Sequence, residues 1–208
     1  KKENLFFHCD HANTKEAKTE NSARAWRYKS LTARAKDLTL MNPDSPCLHV
    51  LTGHTNTDKA ETFLMNIARG TDLAGLSSLR YSRHLTDEIE LIRPFICFSR
   101  SDTEKICNEM NLPIWIDPSN ENLNLKRNKL RKEVFPILEE LYKGSTHRIA
   151  SLSERLAHHQ DTQHSLSKLA LESVLLPKGL SRVKLISLPL FARTTLLNTW
   201  FKHLGLPQ

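Results

Sequence analysis

Glycine is scarce in this sequence, and its few positions are scattered. Six of the 208 residues are glycine, and no two of them are adjacent. They are Gly53, Gly70, Gly75, Gly144, Gly179 and Gly205. A loop that wraps phosphate groups needs closely spaced glycines, because its backbone N–H groups must approach the ligand without side chains in the way. The sequence therefore excludes a glycine-rich phosphate loop among these residues.

Cysteine and long apolar runs are scarce as well. The four cysteines contain no Cys-x-x-Cys pair, and their spacing matches no common zinc motif. We expect reduced, mostly buried thiols, as in a cytosolic protein. No apolar run is long enough to span a bilayer, so we expect no membrane partner. The neighbouring histidines His158, His159 and His164 lack ligand spacing and indicate a solvated helix face rather than a metal site.

Positive charge is in excess and is partly concentrated. The chain carries 30 basic and 23 acidic residues, a net charge of +7. An excess of this size favours an anionic partner such as nucleic acid, and the clustering of the charges matters more than their total. One cluster lies within seven residues and consists of Lys126, Arg127, Lys129, Arg131 and Lys132.

The apolar pattern predicts an α/β protein with a helical second part. Residues 5–9, 48–52 and 89–92 have the character of strands, and helices are predicted between and after them. This order is typical of an α/β sheet. After residue 124 the pattern becomes mainly helical, with a long helix over 147–175, a strand over 182–186 and a last helix over 189–203. We place a domain boundary at Gly144, which gives domains 1–143 and 144–208.

The most informative stretch follows the strand at 48–52. There the chain reaches Gly53 and then places His54, Asp58 and Glu61 at the start of a helix predicted over 58–69. Ligands of open α/β sheets bind where the carboxyl ends of strands meet helix N-termini. Asp58 and Glu61 are three residues apart and share a helix face. A capping box, with Asp58 as the cap and Glu61 reaching back to it, is an equally simple interpretation.

Five sequence motifs in register resemble one family, the tRNA(Ile)-lysidine synthetases of the N-type ATP pyrophosphatase superfamily. The first is Gly53-His54-x-x-x-Asp58-x-Ala60-Glu61-Thr62 with Arg69-Gly70 and Gly75-Leu76 behind it. The others are Glu20-x-x-Ala23-Arg24-x-x-Arg27-Tyr28, Arg93-Pro94, Trp115-x-Asp117-x-Ser119-Asn120, and Arg127-Asn128-x-x-Arg131. The resemblance covers residues 5–141 well and the remainder weakly.

The resemblance implies a fold, a reaction and a set of partners. The fold would be an incomplete Rossmann-like parallel sheet, of the adenine nucleotide alpha hydrolase type, followed by a mainly helical domain. The enzyme would use ATP and Mg²⁺ to adenylate the wobble cytidine of a tRNA(Ile) with a CAU anticodon. Free lysine would then displace AMP and give lysidine. The expected location is the bacterial cytoplasm or the plastid stroma, and a homodimer is left open.

The departure from the family is as specific as the resemblance. The family opens with a Ser-Gly-Gly-x-Asp-Ser loop that cradles the ATP phosphates, and the scattered glycines of this chain cannot form one. The first predicted strand aligns with a later strand of the family's sheet. We therefore hypothesise that the sequence is a fragment that lacks about two strand–helix units, or roughly 60 residues.

Site residues follow from the resemblance. Asp58 and Arg131 are the catalytic candidates, and Asp58 and Glu61 would bind the lysine substrate. Contacts to ATP or phosphate are expected from His54, Arg24, Arg27, Arg127 and Arg131. Contacts to the tRNA backbone are expected from Lys126, Lys129 and Lys132. Asp117, Ser119 and Asn120 are interpreted as turn formers, and Trp115 as a core residue.

Two alternatives stay open at this point. The first is a tRNA thiolase of the same superfamily, which would carry a Cys-x-x-Cys pair where this chain has Asp117-Pro118-Ser119-Asn120. The sequence disfavours it, because nine residues separate Cys97 from Cys107. The second is an RNA-binding module without catalytic activity.

Overall fold

The computed structural model describes residues 6–13, 16, 18–115 and 117–206. Within these residues the chain forms two compact units. The first unit comprises residues 6–59 and 79–129, and the second comprises 60–78 and 130–206. The prediction of domains at 1–143 and 144–208 stays a prediction.

The first unit is built on a small sheet. Its elements are α1 (Glu20–Met41), β1 (His49–Leu51), β2 (Ser82–His84), β3 (Glu90–Ile92), α4 (Arg100–Glu109), a 3₁₀ turn (Pro118–Glu121) and α5 (Lys126–Lys129). The strand order is β1-β3-β2, with β1 and β3 parallel and β2 antiparallel to β3. Val50 of β1 lies opposite Leu91 of β3. Both side chains are buried with Ala35 of α1 and with Ile89, so the core lies between α1 and the sheet.

The second unit is almost entirely helical. It contains α3 (Leu73–Leu76), a π-helical turn (Leu130–Val134), α6 (Phe135–Leu141), α7 (Ser145–Val174), the two-residue strands β4 (Leu175–Leu176) and β5 (Gly179–Leu180), α8 (Arg182–Ile186) and α9 (Leu190–His203). Helix α2 (Asn56–Arg69) contributes its first four residues to the first unit and the rest to the second. Two apolar clusters form the core, one around Phe135 and Ala150 and one around Leu171 and Leu196.

The start of the long helix α7 is fixed by one carboxylate. Gly144 adopts φ +80°, a left-handed conformation that glycine tolerates without strain. Glu139 accepts hydrogen bonds from the Gly144 and Thr146 backbone N–H groups at 2.6 and 2.7 Å. Hydrogen bonds from the Thr146 side chain and backbone, helped by those from the Gly144 N–H and from the Ser145 hydroxyl at 3.1 Å, lower the pKa of Glu139 to about 2. Glu139 thus caps a helix whose N-cap residue has no side chain of its own.

The structure confirms the α/β fold class with its mainly helical second part, and it corrects two local predictions. Residues 182–186 form helix α8 instead of a strand, because Ser181 caps a helical turn by accepting from the Lys184 N–H. Five alternating residues are too few to separate the two periodicities. In the predicted strand 5–9, Leu5 lies outside the described residues. Residues 6–9 form no strand, and both Phe6 and Phe7 are exposed.

Of the helices in the described residues, 6–13, 16, 18–115 and 117–206, none is both long and apolar enough to cross a bilayer.

Candidate anion-binding site

The candidate site lies at one edge of the sheet in the first unit. Leu51 and Ile92 are partners at the ends of the parallel strands β1 and β3, so both strands end at the same edge. His54 follows β1 and Arg93 follows β3 directly. The sheet therefore places an imidazole and a guanidinium at the position where open α/β sheets bind ligands.

The helix that follows β1 begins with a reciprocal cap. The Asp58 carboxylate accepts from the Thr55 backbone N–H at 2.8 Å and from the Thr55 hydroxyl at 2.9 Å. The Thr55 hydroxyl in turn faces the Asp58 N–H at 3.4 Å. A capping box is present, but the predicted pair of Asp58 and Glu61 was wrong. Thr55 is the cap, and Asp58 is the residue that reaches back to it. The reason is that α2 begins at Asn56, two residues earlier than predicted.

His54 is held neutral by its surroundings. Its Nδ1 lies 2.9 Å from the Thr52 hydroxyl. Burial lowers the pKa of His54 to about 4, against the opposing effect of the Asp58 carboxylate. The nearby charges of Arg93, Arg24 and Arg127 lower the pKa further. A neutral imidazole can accept or donate a hydrogen bond at physiological pH, and it adds no charge to the cluster.

Arg93 is the most unusual charged group in this unit. Its side chain is fully buried, and one guanidinium N–H donates to the Arg80 carbonyl at 2.6 Å. The Nε atom is buried without a hydrogen-bond partner. Within the described residues no carboxylate pairs with Arg93. Burial lowers the pKa of Arg93, in spite of its hydrogen bond to the Tyr28 hydroxyl, and the charges of Arg83 and Arg24 lower it further.

Tyr28 gathers three of these arginines. The guanidinium carbons of Arg24 and Arg83 lie 5.6 and 4.7 Å from the centre of its ring, within the range of a cation–π contact. Arg93 contacts its hydroxyl. Burial raises the pKa of Tyr28, but Arg24 and Arg93 outweigh it, so that the pKa is lowered overall.

The sum of these groups is a positive site. Lys59 is also buried, and both burial and the charge of Arg93 lower its pKa. Arg127 lies 3.8 Å from the Glu20 carboxylate. The Asp58 carboxylate lies in the same site, where its charge raises the pKa of His54 against the effect of burial. Arg93 is the fully buried cation of this group, and its Nε has no hydrogen-bond partner. A buried cation without a carboxylate partner is costly, and a bound anion can supply the counter-charge.

The second unit contains a different charged arrangement. Glu61 is fully buried and accepts from the Nε of Arg131 at 2.5 Å and from a terminal nitrogen at 2.9 Å. This two-pronged geometry is the strongest form of the arginine–carboxylate contact. The sequence predicted Glu61 as a lysine-binding group and Arg131 as a phosphate-binding group. The structure brings these two side chains into contact with each other.

The remaining predicted site residues differ in their placement. Arg27 lies exposed on α1, and the contacts that join Arg24 to Tyr28 do not involve it. Lys126, Lys129 and Lys132 are exposed. Asp117 accepts from the Ser119 N–H at 2.9 Å and caps the 3₁₀ turn, as expected of a turn former. All of the site assignments remain predictions.

Two expectations about burial were wrong. Trp115 is 88% exposed instead of part of the core, since it lies in an extended stretch outside the helices and strands. Of the four unpaired cysteines, Cys9 and Cys97 are exposed, and Cys47 and Cys107 are half-buried. Composition alone favours burial of both residue types and does not specify position.

The predicted residue list also omitted Arg93, Lys59, Tyr28 and Arg83. A signal for Arg93 was available, because it follows an apolar strand and so stands at the carboxyl end of the sheet. No comparable signal pointed to Arg83, which reaches Tyr28 only through the pairing of β2 with β3.

The side chains at the sheet edge fit a phosphate-bearing group. Arg24, Arg93 and Arg127 would hold the phosphates, and His54 would lie beside the nucleotide. Mg²⁺ is usually held by one or two carboxylates together with substrate phosphates. Among the described residues no group of three or more histidine, cysteine, aspartate or glutamate side chains could hold a metal ion. Asp58, whose carboxylate also accepts from Thr55, is the candidate for such a shared arrangement.

Comparison with known proteins assigns the class. Residues 4–138 match the family of the PP-loop domain, which is ATP-dependent, and the chain belongs to this family. It is similar to a solved U34-tRNA thiolase, NcsA from Methanococcus maripaludis with its [4Fe-4S] cluster. The TM-score is 0.50 and the identity 21%, over 66% of this chain and 43% of that one. At this identity the likeness shows the fold alone.

Curated relatives narrow the comparison to one kind of enzyme, which confirms the predicted resemblance. A tRNA(Ile)-lysidine synthase of Prochlorococcus marinus strain NATL1A is 47% identical over 100% of this chain and 64% of its own length. One from a second strain of the same species is 51% identical over 95% of this chain and 59% of its own length. One from Parasynechococcus marenigrum is 42% identical over 97% of this chain. The chain thus spans less than two thirds of the length of these relatives.

Proposed function

We propose that this chain is the main part of a tRNA(Ile)-lysidine synthase. The observation that carries the proposal is the 47–51% identity to enzymes of that name over 95–100% of the chain. The site in the first unit supports it, since the buried Arg93 guanidinium and the neutral His54 at the sheet edge suit a nucleotide phosphate. The substrates would be ATP with Mg²⁺, free lysine, and a tRNA(Ile) with a CAU anticodon. A location in the bacterial cytoplasm or the plastid stroma belongs to the same proposal.

The reaction consists of two transfers. In the first, the wobble cytidine attacks ATP and receives AMP, and pyrophosphate leaves. In the second, the amine of lysine attacks the activated cytidine, AMP leaves, and the nitrogen loses a proton. Arg24, Arg93 and Arg127 would bind the phosphate groups and stabilise the negative charge that develops as pyrophosphate departs.

Asp58 is the candidate for the second transfer. Its carboxylate lies in the first turn of α2. It would bind the lysine ammonium or accept the proton that the attacking amine loses. Glu61 is the second candidate for lysine binding. Because Arg131 already binds its carboxylate, lysine would have to share or replace that contact.

The test uses the full-length gene product, radiolabelled lysine, ATP and the tRNA. We expect lysine transfer that depends on ATP. In Asp58→Asn the remaining side-chain oxygen can still accept from Thr55, so the cap persists while the charge is lost. Transfer should then fall by about 100-fold or more, because general acid–base groups contribute about 10²–10⁴ to rates. Exchange of pyrophosphate into ATP measures the first transfer separately.

The matched control is Asp37→Asn, which removes the same charge from the exposed face of α1. It should leave lysine transfer at the wild-type level. Full transfer by Asp58→Asn would remove the proposed role of Asp58. Tight binding of the tRNA without any transfer by the wild type would favour the RNA-binding module, and sulfur transfer would favour the thiolase.

A further inference from the structure

A groove in the first unit adjoins the site at the sheet edge, and Tyr28 and Arg83 belong to both. It lies between α1 and the β2 strand with its following turn, and its volume is about 470 Å³. Lys29, Thr32 and Lys36 line it from α1, and Arg83 and Leu85 line it from the other side. Tyr28 forms part of its wall. The groove is shallow and open to solvent, unlike a pocket that would enclose a small molecule.

The charge of the groove has one sign. Lys29, Lys36 and Arg83 are all exposed at its surface. Within the described part of the chain, no carboxylate lines the groove and none pairs with these three cations. Ordinary basic surfaces of folded proteins intersperse charges of both signs. Three cations without a counter-ion therefore favour an anionic ligand at this position.

The spacing of the cations favours an extended anion. Lys29 and Lys36 are seven residues apart, so they share one face of α1 and lie about 10 Å apart along its axis. Side chains spaced in this way along a helix can each contact a different anionic group. A chain of phosphates supplies such groups, as in the backbone of a nucleic acid, and its contacts position the chain without reading its sequence.

Tyr28 connects the groove to the site at the sheet edge. Arg83, on the groove side, lies 4.7 Å from the centre of the Tyr28 ring. The Tyr28 hydroxyl contacts the buried Arg93. A backbone lying in the groove would therefore pass next to the cations that we assign to the nucleotide, which is where an RNA substrate must lie if one of its bases is to be activated.

We propose that this groove, which we call the α1–β2 groove, binds the sugar–phosphate backbone of the RNA substrate. The proposal rests on the proposed function for the identity of the RNA and on the groove itself for the mode of binding. It adds Lys29, Lys36 and Arg83 to the RNA-binding surface expected from Lys126, Lys129 and Lys132.

The test measures the salt dependence of RNA binding by the full-length gene product. The probe is a fluorescein-labelled anticodon stem-loop RNA with a CAU loop. Each phosphate contact contributes about 0.7 to the slope of log affinity against log salt for a single strand. The double variant Lys29→Gln with Lys36→Gln should therefore lower the slope by about 1.4. The ratio of wild-type affinity to variant affinity should therefore be roughly 7-fold smaller at about 200 mM salt than at about 50 mM.

The matched control removes two lysines from other exposed positions, Lys105→Gln on α4 and Lys178→Gln beyond α7. Glutamine keeps the helix propensity of lysine at the three helical positions, and Lys178 lies in an exposed turn, so folding should not differ. We expect the control to retain the wild-type slope. An equal slope change in both variants would mean a general charge effect and would overturn the proposal, as would no change in either.

Two further arms separate this inference from the proposed function. Inorganic pyrophosphate should compete poorly with the RNA, whereas effective competition would assign the groove to nucleotide phosphates and overturn the proposal. Lysine transfer is measured on the same preparation. If the double variant changes the slope but the wild type transfers no lysine, the groove assignment holds and the proposed function is wrong. If the wild type transfers lysine but the double variant leaves the slope unchanged, the proposed function holds and the groove assignment is wrong.

Discussion

The two units each contain a fully buried charged side chain, but only the one in the second unit is paired with a side chain of opposite charge among the described residues. In the second unit, Glu61 is bound by both prongs of Arg131 at 2.5 and 2.9 Å. In the first unit, Arg93 has a carbonyl and a tyrosine hydroxyl as partners and a buried Nε without one. One charge is neutralised inside its own unit, and the other is surrounded by further cations.

The difference follows from what each site must do. An ion pair that is complete within the protein stabilises one arrangement of the chain and leaves little charge for a ligand. A buried cation without a carboxylate costs free energy in the folded protein, and binding of an anion recovers that cost. The Glu61–Arg131 contact is an ion pair within its own unit, whereas the buried Arg93 has no carboxylate partner among the described residues.

The largest effect is expected from breaking the complete pair. Arg131→Met should leave the Glu61 carboxylate buried without its cation and lower the free energy of unfolding by about 3–5 kcal/mol. The measurement is urea unfolding followed by circular dichroism at 222 nm, since the second unit is mostly helical.

A double variant tests whether that loss reflects the orphaned charge. Arg131→Met with Glu61→Leu replaces the pair by apolar groups and should recover much of the stability, because buried pairs and apolar replacements are often equivalent. A loss below about 1 kcal/mol in Arg131→Met would show that Glu61 is not dependent on this partner. The two units would then not differ in their need for a partner to a buried charge.

A smaller effect, of the opposite kind, is expected at Arg93. Arg93→Met removes a buried cation that has no carboxylate partner, so the ligand-free protein should lose little stability. Its affinity for ATP should fall by about 10- to 100-fold, since a hydrogen bond to a charged group contributes about 1.5–3 kcal/mol. At ATP concentrations about 100 times the wild-type Kd, this removes about 1–2 kcal/mol of the stabilisation by ATP.

The measurement compares thermal unfolding of the full-length gene product with and without ATP. Arg100→Met is the control, because it removes the same type of side chain from an exposed position at the start of α4. If Arg93→Met destabilised the ligand-free protein as strongly as Arg131→Met, with ATP stabilisation unchanged, the proposed role of Arg93 in binding ATP would be wrong.

Local patterns predicted the architecture well where one element determines its own structure. The helices at 145–174 and 190–203 match predictions based on helical periodicity and on punctuation by glycine and proline. The strands β1 and β3 were visible as short apolar runs before turns. The family motifs identified the class, and the match to the PP-loop family over 4–138 confirmed it.

The partners of the charged residues were not predictable in the same way. Nothing in the spacing of Glu61 and Arg131 shows that residues 70 positions apart form a two-pronged pair. The contacts of Tyr28 likewise depend on how α1 packs on the sheet and on how β2 pairs with β3. Long-range packing decides such contacts, and periodicity reports only the face on which a residue lies.

The smallest expected effect links the pH dependence of stability to the same comparison. The pKa of His54 is about 4 in the folded protein, against an ordinary value of 6.5. Between these two values the unfolded chain binds more protons than the folded one, so stability falls as the pH falls from 6.5 to 4. A shift of this size corresponds to about 3 kcal/mol, which partial exposure of the ring reduces to about 1 kcal/mol. His54→Gln should flatten this part of the profile, and His159→Gln, which removes an exposed imidazole from α7, should not.

Because the charge of Arg93 helps to lower the pKa of His54, Arg93→Met should move that pKa upward in an NMR titration. The pH range over which His54 affects stability should then become narrower. An unchanged His54 pKa in Arg93→Met would mean that burial alone holds the ring neutral, and that the uncompensated charge of Arg93 does not reach the site.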